Sequence, residues 1–383
     1  MDFIPYGRQT IEQDDIDSVI KTLQSDFLTT GPKIAEFEKA ICDYTGAKYT
    51  IAVSNGTAAL HLASLVLLNK NDKVLTTPNS FLATSNSILY AGAKPIFVDI
   101  TNDGLIDLDL CEEYLKKDDS IKAIYVVSFS GKMLNQKKLR YLKDTYNIKI
   151  LEDNAHSIGA KYKWKMKNEK WKIIKAGSCS NSDMSIFSFH PVKHIATGEG
   201  GAITTNSKEF YEQLLTLRNH GIVKTFDMKP WEYEMKEIGF NYRITDIQCS
   251  LGLSQLKKLD SFIQKRVSIA KRYDKAFKDS MIKPLYHHDG TSSYHLYVVR
   301  VDFTKLDITK EKLFVKMKEK NIGLQLHYMP INKQPYYQSL GYGDEDTPNM
   351  HRYYQECFSL PMYPLLSEDE QEYVIKTLFE VLK

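Results

Sequence analysis

No two cysteines in this chain sit close enough in sequence to suggest a pair. Cys42, Cys111, Cys179, Cys249 and Cys357 are odd in number, scattered, and never spaced as Cys-x-x-Cys. That argues against a disulfide-stapled fold and a cysteine-ligated metal, and it suits reduced thiols in a cytoplasmic protein. Long apolar runs are also missing. The most apolar stretch, 58–68, is broken by His61 and Ser64 and falls short of the ~20 residues a spanning helix needs. The opening Met-Asp-Phe-Ile-Pro has an acid at position two and no apolar core, so no signal peptide is expected. Neither charge dominates: 51 basic residues stand against 48 acidic ones, net +3, which speaks against a nucleic-acid protein held by a broad basic surface. Common signatures fail as well. There is no Gly-x-Gly-x-x-Gly, no Walker loop and no His-Glu-x-x-His. Ser254-Gln-Leu-Lys257 matches Ser-x-x-Lys without that motif's companions. Pro191, between His190 and His194, argues against a helical metal pair, and no metal is expected.

What is present is ample core material: 43% of the 383 residues are hydrophobic and only 26% charged. At roughly 150 residues per domain, that length suggests two or three compact units. An early helix near 14–25 places Ile16, Val19, Ile20 and Leu23 at the spacing of a buried face. Strand-like runs follow at 49–54, 73–77, 95–100, 123–128, 149–152, 185–189 and 202–205. Helical stretches such as 57–68 and 81–91 lie between many of them. Several runs are apolar at consecutive positions, as strands covered on both faces are. The alternation predicts an α/β domain with a mainly parallel sheet, with ligands beyond the carboxyl ends of its strands. From about 246 the pattern changes to a long helix to 277, strands at 294–302 and 323–328, and helices at 309–320 and 368–382. Ser367 and Glu370 form a capping box at the start of the last. We expect a large domain over 1–245, whose N-terminal segment contacts the small domain. The connecting helix and a small α+β domain would occupy 246–383.

Residues 161–175, KYKWKMKNEKWKIIK, interleave seven lysines with Tyr162, Trp164 and Trp171. Such a pattern suits nucleic acid in principle. A hairpin with lysines outward and aromatics inward, its edge protected by charge, accounts for it more simply.

The chemistry lies at the strand ends. Ser54-Asn55-Gly56-Thr57 follows a strand and opens a helix, where free N–H groups and the helix dipole favour a phosphate. Ordinary capping explains the same residues equally well. Glu152-Asp153-Asn154 ends another strand. Phe187-Ser188-Phe189-His190-Pro191-Val192-Lys193 then precedes Gly198-Glu199-Gly200-Gly201, making Lys193 a candidate amine nucleophile. Pyridoxal phosphate requires an amine for a Schiff base, a carboxylate on its ring nitrogen, a phosphate cradle and an aromatic wall. Lys193, Asp153, Ser54 to Thr57 with Ser188, and Phe81 can fill those roles.

These pieces, in this order, resemble the nucleotide-sugar aminotransferases of the DegT/DnrJ/EryC1/StrS family. The resemblance extends over nearly the whole chain. It rests on FLTTGP at 27–32, SNGTAAL at 54–60, TTPNSFLATSNSI at 76–88 and LEDNAHSIGA at 151–160. It continues in FSFHPVKHIATGEGGAITTN at 187–206 and NYRITDIQCSLGLSQL at 241–256. Tyr6, SFSGK at 128–132, RNHGIVK at 218–224 and LQLHYMPI at 324–331 are most similar to the pseudaminic acid branch. The resemblance implies the type I fold of pyridoxal-phosphate aminotransferases. It also implies a cytoplasmic homodimer with shared sites. The implied reaction moves an amino group from glutamate to C4 of a UDP-linked 4-keto-6-deoxy-2-acetamido sugar. Lys193 would then be the Schiff-base lysine and proton carrier, and Asp153 the partner of the pyridine nitrogen, with Glu152 the near alternative. His156 would sit by the ring hydroxyl and Phe81 over the ring. Gly56, Thr57 and Ser188 would hold the phosphate, joined by Asn241 from the neighbouring subunit. Tyr6, Asp26, Phe27, Leu28, Thr29, Arg243, His327, Tyr328, Met329 and Pro330 correspond to substrate contacts.

Two other readings compete. A sugar 3-dehydratase on the same fold carries histidine in place of the lysine, and His194 directly follows Lys193. A non-catalytic regulator that kept the fold would not need both Lys193 and Asp153.

Overall fold

The computed structural model describes residues 2–165, 169–225 and 227–383. Helices α1 (Gln13–Leu23) and α2 (Pro32–Thr45) precede β1 (Tyr49–Val53) and α3 (Gly56–Leu67). Then β2 (Lys73–Thr76), α4 (Leu82–Tyr90), β3 (Lys94–Phe97), α5 (Leu108–Lys117), β4 (Ile121–Val127), α6 (Gln136–Tyr146) and β5 (Lys149–Asp153) alternate. A ribbon of β6 (Lys161–Lys165) and β7 (Trp171–Lys175) intervenes before β8 (Met184–Ser188), β9 (Gly201–Thr205) and α7 (Lys208–Arg218). The short strands β10 (Ile222–Val223) and β11 (Glu234–Met235) lead to the long α8 (Asp246–Phe277). The remainder comprises β12 (Lys283–Pro284), β13 (Tyr297–Arg300), α9 (Lys310–Glu319), α10 (Pro335–Ser339), α11 (Pro348–Glu356), β14 (Cys357–Leu360) and α12 (Glu368–Leu382).

Seven strands form the central sheet in the order β1-β9-β8-β5-β4-β2-β3. Pairing is parallel from β8 to β3 and antiparallel on both sides of β9. The expected α/β fold with a mainly parallel sheet is therefore present. Central strands are buried along nearly their whole length, as Val- and Ile-rich strands covered by helices on both faces must be. A second sheet, β12-β13-β14, packs with α9, α12 and the C-terminal half of α8. Ile4 is buried in the same cluster and pairs with Ile322. Helix starts follow their caps: Thr245 with Gln248 opens α8, and Ser367 with Glu370 opens α12.

Four expectations are corrected. The apolar stripe of α1 is not its buried face: Ile16 and Ile20 are 44% exposed and Leu23 is 53% exposed. The helix docks on α8 through polar groups instead. Asp15 accepts from Lys258 Nζ and Gln255 Nε2 at 2.7 Å each, and Ser18 meets Ser250 at 2.8 Å. Residues 323–328 are not a strand but an extended loop joined to Ser359 at Gln325. Its neighbours His327 and Tyr328 both line one cavity, which the alternation of a regular strand forbids. The expected strand at 294–302 shrinks to β13, because Tyr294 has φ 49°, in the left-handed region. In the lysine ribbon Tyr162 and Trp164 pack inward, as expected, but Trp171 is 65% exposed. Residues 166–168 of that segment lie outside the described residues.

Candidate active site

A cavity of about 780 Å3 opens beyond the carboxyl ends of the parallel strands, lined by Val127 of β4, Asp153 of β5, and Ile186 and Ser188 of β8. This is where the strand order and its helical connections leave backbone ends uncovered.

At one wall, α3 begins. Asn55 Oδ1 caps the helix by accepting from Ala58 N at 2.8 Å. The N–H groups of Gly56 and Thr57 belong to the first turn, which has no partners inside the helix. Gly56 approaches Ser188 so closely that an added Cβ would come within 2.9 Å of Ser188 Cβ. The result is a cradle of N–H groups and hydroxyls suited to a phosphate.

At the floor, Asp153 closes β5. Its Oδ2 accepts from Thr84 Oγ1 at 2.6 Å and its Oδ1 from Ala155 N at 3.1 Å. Burial pushes its acidity weaker than usual, against the pull of these hydrogen bonds and of Lys193. Glu152 points away from the cavity, where its Oε2 accepts from Asn154 Nδ2 at 3.2 Å. Strand alternation thus gives the cavity one carboxylate of the adjacent pair.

Lys193 follows the His190-Pro191 turn and lines the same cavity. Burial lowers its amine to about 8, against the opposing influence of Asp153. Its nitrogen lies 3.5 Å from His295 Nε2. His194 faces elsewhere: its Nε2 meets Ser293 O at 2.9 Å, and it does not line the cavity. Of these two neighbours it is therefore Lys193, not His194, whose side chain lines the cavity.

Aromatic and imidazole rings form the remaining walls. His156 is buried, its Nε2 3.2 Å from Tyr328 OH and its Nδ1 without a partner. Phe81 stands at the mouth, 6.3 Å from the Tyr328 ring between centroids. Tyr6 lies 5.4 Å from the His327 ring, and both line the cavity. Burial chiefly lowers His327, to about 3, so its imidazole is neutral.

Not every sequence candidate meets this cavity within one chain. Asp26, Phe27, Leu28 and Thr29 are exposed beside the start of α8, with Asp246 N donating to Leu28 O at 3.0 Å. Asn241 is exposed and bridged to Asn219, while Arg243 Nη1 donates to Asn219 Oδ1 at 2.6 Å. Met329 and Pro330 continue the loop past the lining residues. Conversely, Thr84, His295 and Tyr242 belong to the site without having been singled out from sequence. Thr84 sits inside a quoted motif. His295 left only a weak signal, a polar run (292–295) just before an apolar strand.

The residues present fit pyridoxal phosphate. A carboxylate, an amine, a phosphate cradle that a Cβ would obstruct and an orphaned imidazole nitrogen face one enclosed space. Among the described residues no cluster of metal-ligating side chains occurs.

Comparison with known proteins agrees. The pattern of the DegT/DnrJ/EryC1/StrS aminotransferase family matches residues 9–379. The chain is 40% identical over 389 residues to the UDP-4-amino-4,6-dideoxy-N-acetyl-beta-L-altrosamine transaminase of Campylobacter jejuni strain 81-176, covering 99% of this chain and 98% of that one. Its fold superposes with a TM-score of 0.91 on Helicobacter pylori PseC, an aminotransferase involved in the biosynthesis of pseudoaminic acid. The two are 31% identical, with 99% of each chain covered. The PLP form of the putative sugar aminotransferase Spr1654 from Streptococcus pneumoniae gives 0.87 at 30% identity, over 99% of this chain and 98% of that one.

Proposed function

Because the chain belongs to the DegT/DnrJ/EryC1/StrS aminotransferase family, we propose that it moves an amino group from glutamate to C4 of a UDP-linked 4-keto-6-deoxy-2-acetamido hexose, in pseudaminic acid-type synthesis. It is a sugar aminotransferase that depends on pyridoxal phosphate. One observation carries the site assignment. The amine of Lys193 and the carboxylate of Asp153 line the same cavity as the start of α3.

Bound there, pyridoxal phosphate supplies an aldehyde that carries the amino group and a ring that withdraws electrons from the carbon losing its proton. Lys193 would be the amine that holds the cofactor. Its free amine would take up and return the proton in the transfer, a role its lowered basicity suits. Asp153, fixed by Thr84, holds the proton on the pyridine nitrogen. The first turn of α3 and Ser188 bind the phosphate. Phe81 would cover the ring, and His156 would stand by its hydroxyl. Tyr6, His327 and Tyr328 contact the sugar nucleotide from the opposite wall.

We infer a homodimer in which Asn241 and Arg243, together with Asp26, Phe27, Leu28 and Thr29 and continuing contacts from Met329 and Pro330, complete a site. The exposed apolar groups support this. Besides the α1 stripe, Trp231 is 74% exposed and Ile238 is 81% exposed. Large apolar side chains left exposed in this way are what association covers. Among the described residues no helix is long and apolar enough to cross a membrane. The five free thiols fit the reducing cytoplasm. Purified protein with glutamate and a panel of UDP- and dTDP-linked keto-deoxysugars tests the substrate. NMR should find a 4-amino product from the UDP-4-keto-6-deoxy-2-acetamido sugars. Amination at another carbon, or only of dTDP sugars, refutes it.

A further inference from the structure

We propose that the imidazole of His295, protonated at Nε2, donates a hydrogen bond to the uncharged amine of Lys193 and so keeps that amine neutral and directed into the cavity. His295 is a positioning residue in this reading, acting through Lys193. The inference rests on Lys193 being the reacting amine.

Geometry comes first. His295 is 3% exposed, lines the cavity, and has Nε2 3.5 Å from Lys193 Nζ. Its Nδ1 is buried with no partner. Two neutral tautomers are available, and they differ in what they strand. A proton on Nδ1 would leave a buried N–H orphaned, whereas a proton on Nε2 leaves only a bare acceptor, the more commonly tolerated fault.

The segment that carries His295 is held from several sides. The buried Arg266 directs Nη1 at the carbonyls of Tyr294 (3.3 Å), His295 (3.1 Å) and Met362 (2.9 Å). Ser130 Oγ donates to Leu296 O at 2.8 Å, and Ser293 N donates to Gly131 O at 3.0 Å. Tyr286 OH meets Ser292 Oγ at 2.9 Å. Tyr294, next to His295, sits at φ 49°. A bulky residue keeps that sparsely populated conformation only where its surroundings over-determine it. What this arrangement fixes is the position of the next side chain.

The titratable and charged groups close enough to influence the pair are Asp153, His156, His194, His327 and Arg266. Burial, reinforced by Lys193, His156, His194 and Arg266, keeps His295 far from taking a second proton. A neutral donor therefore stands beside an amine that burial has already lowered to about 8.

Competitive acetylation of the cofactor-free full-length chain across pH, with Lys193 read by peptide mass spectrometry, measures the amine's protonation without catalysis. His295→Leu removes the donor, and His295→Asn does the same with a shorter polar group should the leucine variant not fold. Either should move the Lys193 midpoint upward by about one pH unit, a roughly tenfold less reactive amine below it. His295→Gln, whose amide reaches the Nε2 position, should restore most of the shift. An unchanged midpoint, a downward shift, or a glutamine variant no better than leucine overturns the proposal. Reactivity of Lys193 no greater than that of surface lysines in the unaltered chain would instead count against Lys193 as the reacting amine.

Discussion

In the proposed mechanism Lys193 carries two roles on one nitrogen, so Lys193→Ala should lower amino transfer at least about a thousandfold. The phosphate cradle at Gly56, Thr57 and Ser188 is untouched, and the variant should still bind the cofactor by equilibrium dialysis. Near-native turnover would end the aminotransferase mechanism proposed for this site. The adjacent carboxylates separate differently. Asp153→Ala strips the cavity floor of its charge, and we expect a loss of about a hundredfold or more. Glu152→Ala leaves the cavity intact and costs the buried Asn154 amide one of its two acceptors, Ser185 Oγ at 2.7 Å remaining, so about 1 kcal/mol of stability should go with little change in chemistry. Urea melts and steady-state rates on both variants distinguish the two. A Glu152 variant as inactive as the Asp153 variant would reverse the assignment.

Among the elements, α8 and α2 cross so closely that their contact admits no side chain at Gly252. A Cβ there would lie 2.6 Å from Phe37 Cζ and 3.0 Å from Thr197 Cγ2. Alanine would improve helix propensity by about 1 kcal/mol, whereas overpacking a buried ring costs about 1–3 kcal/mol. Gly252→Ala should therefore lower the melting temperature, although an isolated helix would gain. A raised melting temperature would mean the α2 contact is looser than the structure shows. The docking of α1 follows the same physics with polar groups. Lys258 and Gln255 both donate to Asp15 Oδ2 at the contact, while the apolar stripe faces outward. Sequence periodicity finds such a stripe but cannot tell a core from an interface.

At the scale of the whole molecule, the proposed shared-site dimer predicts complementation. Lys193→Ala protomers and protomers with Asn241 and Arg243 both replaced should each be poorly active. Co-refolded heterodimers gather both lesions at one site and leave the other intact, recovering up to half-site activity. Verified heterodimers without recovery, or a fully active monomer, would discard sharing. Acid stability is a second global property. His156, His194, His295 and His327 are held neutral by burial, below their ordinary value of 6.5. In the unfolded chain they take protons as pH falls through about 6.5, so the unfolded state binds more and stability drops on acidification. Each contributes about 1.4 kcal/mol per pH unit below that point. The buried Asp153 and Glu152, whose acidity is weakened by burial, work in the opposite sense. Urea midpoints of the cofactor-free protein should fall steeply from pH 7 to 5.5, and a flat profile would show that these imidazoles are hydrated.

Local signals determined much of this protein. The bounds of α8 and α12 agree with the sequence reading because a capping box fixes each start from residues three apart. The parallel sheet was legible from strands apolar on both faces. Lys193, Asp153 and the start of α3 were legible because each sits at a strand end or in the turn that follows it, where backbone geometry and residue type coincide. Tertiary structure decided the rest. His295 reaches Lys193 across 102 residues of sequence, held by an arginine on a third element. The loop at 323–328 gave up strand pairing so that two adjacent side chains could face one cavity. The outward turn of the α1 stripe followed from polar partners more than two hundred residues away. Contacts at such separations form only when the chain has closed on itself, and no local window of sequence contains them.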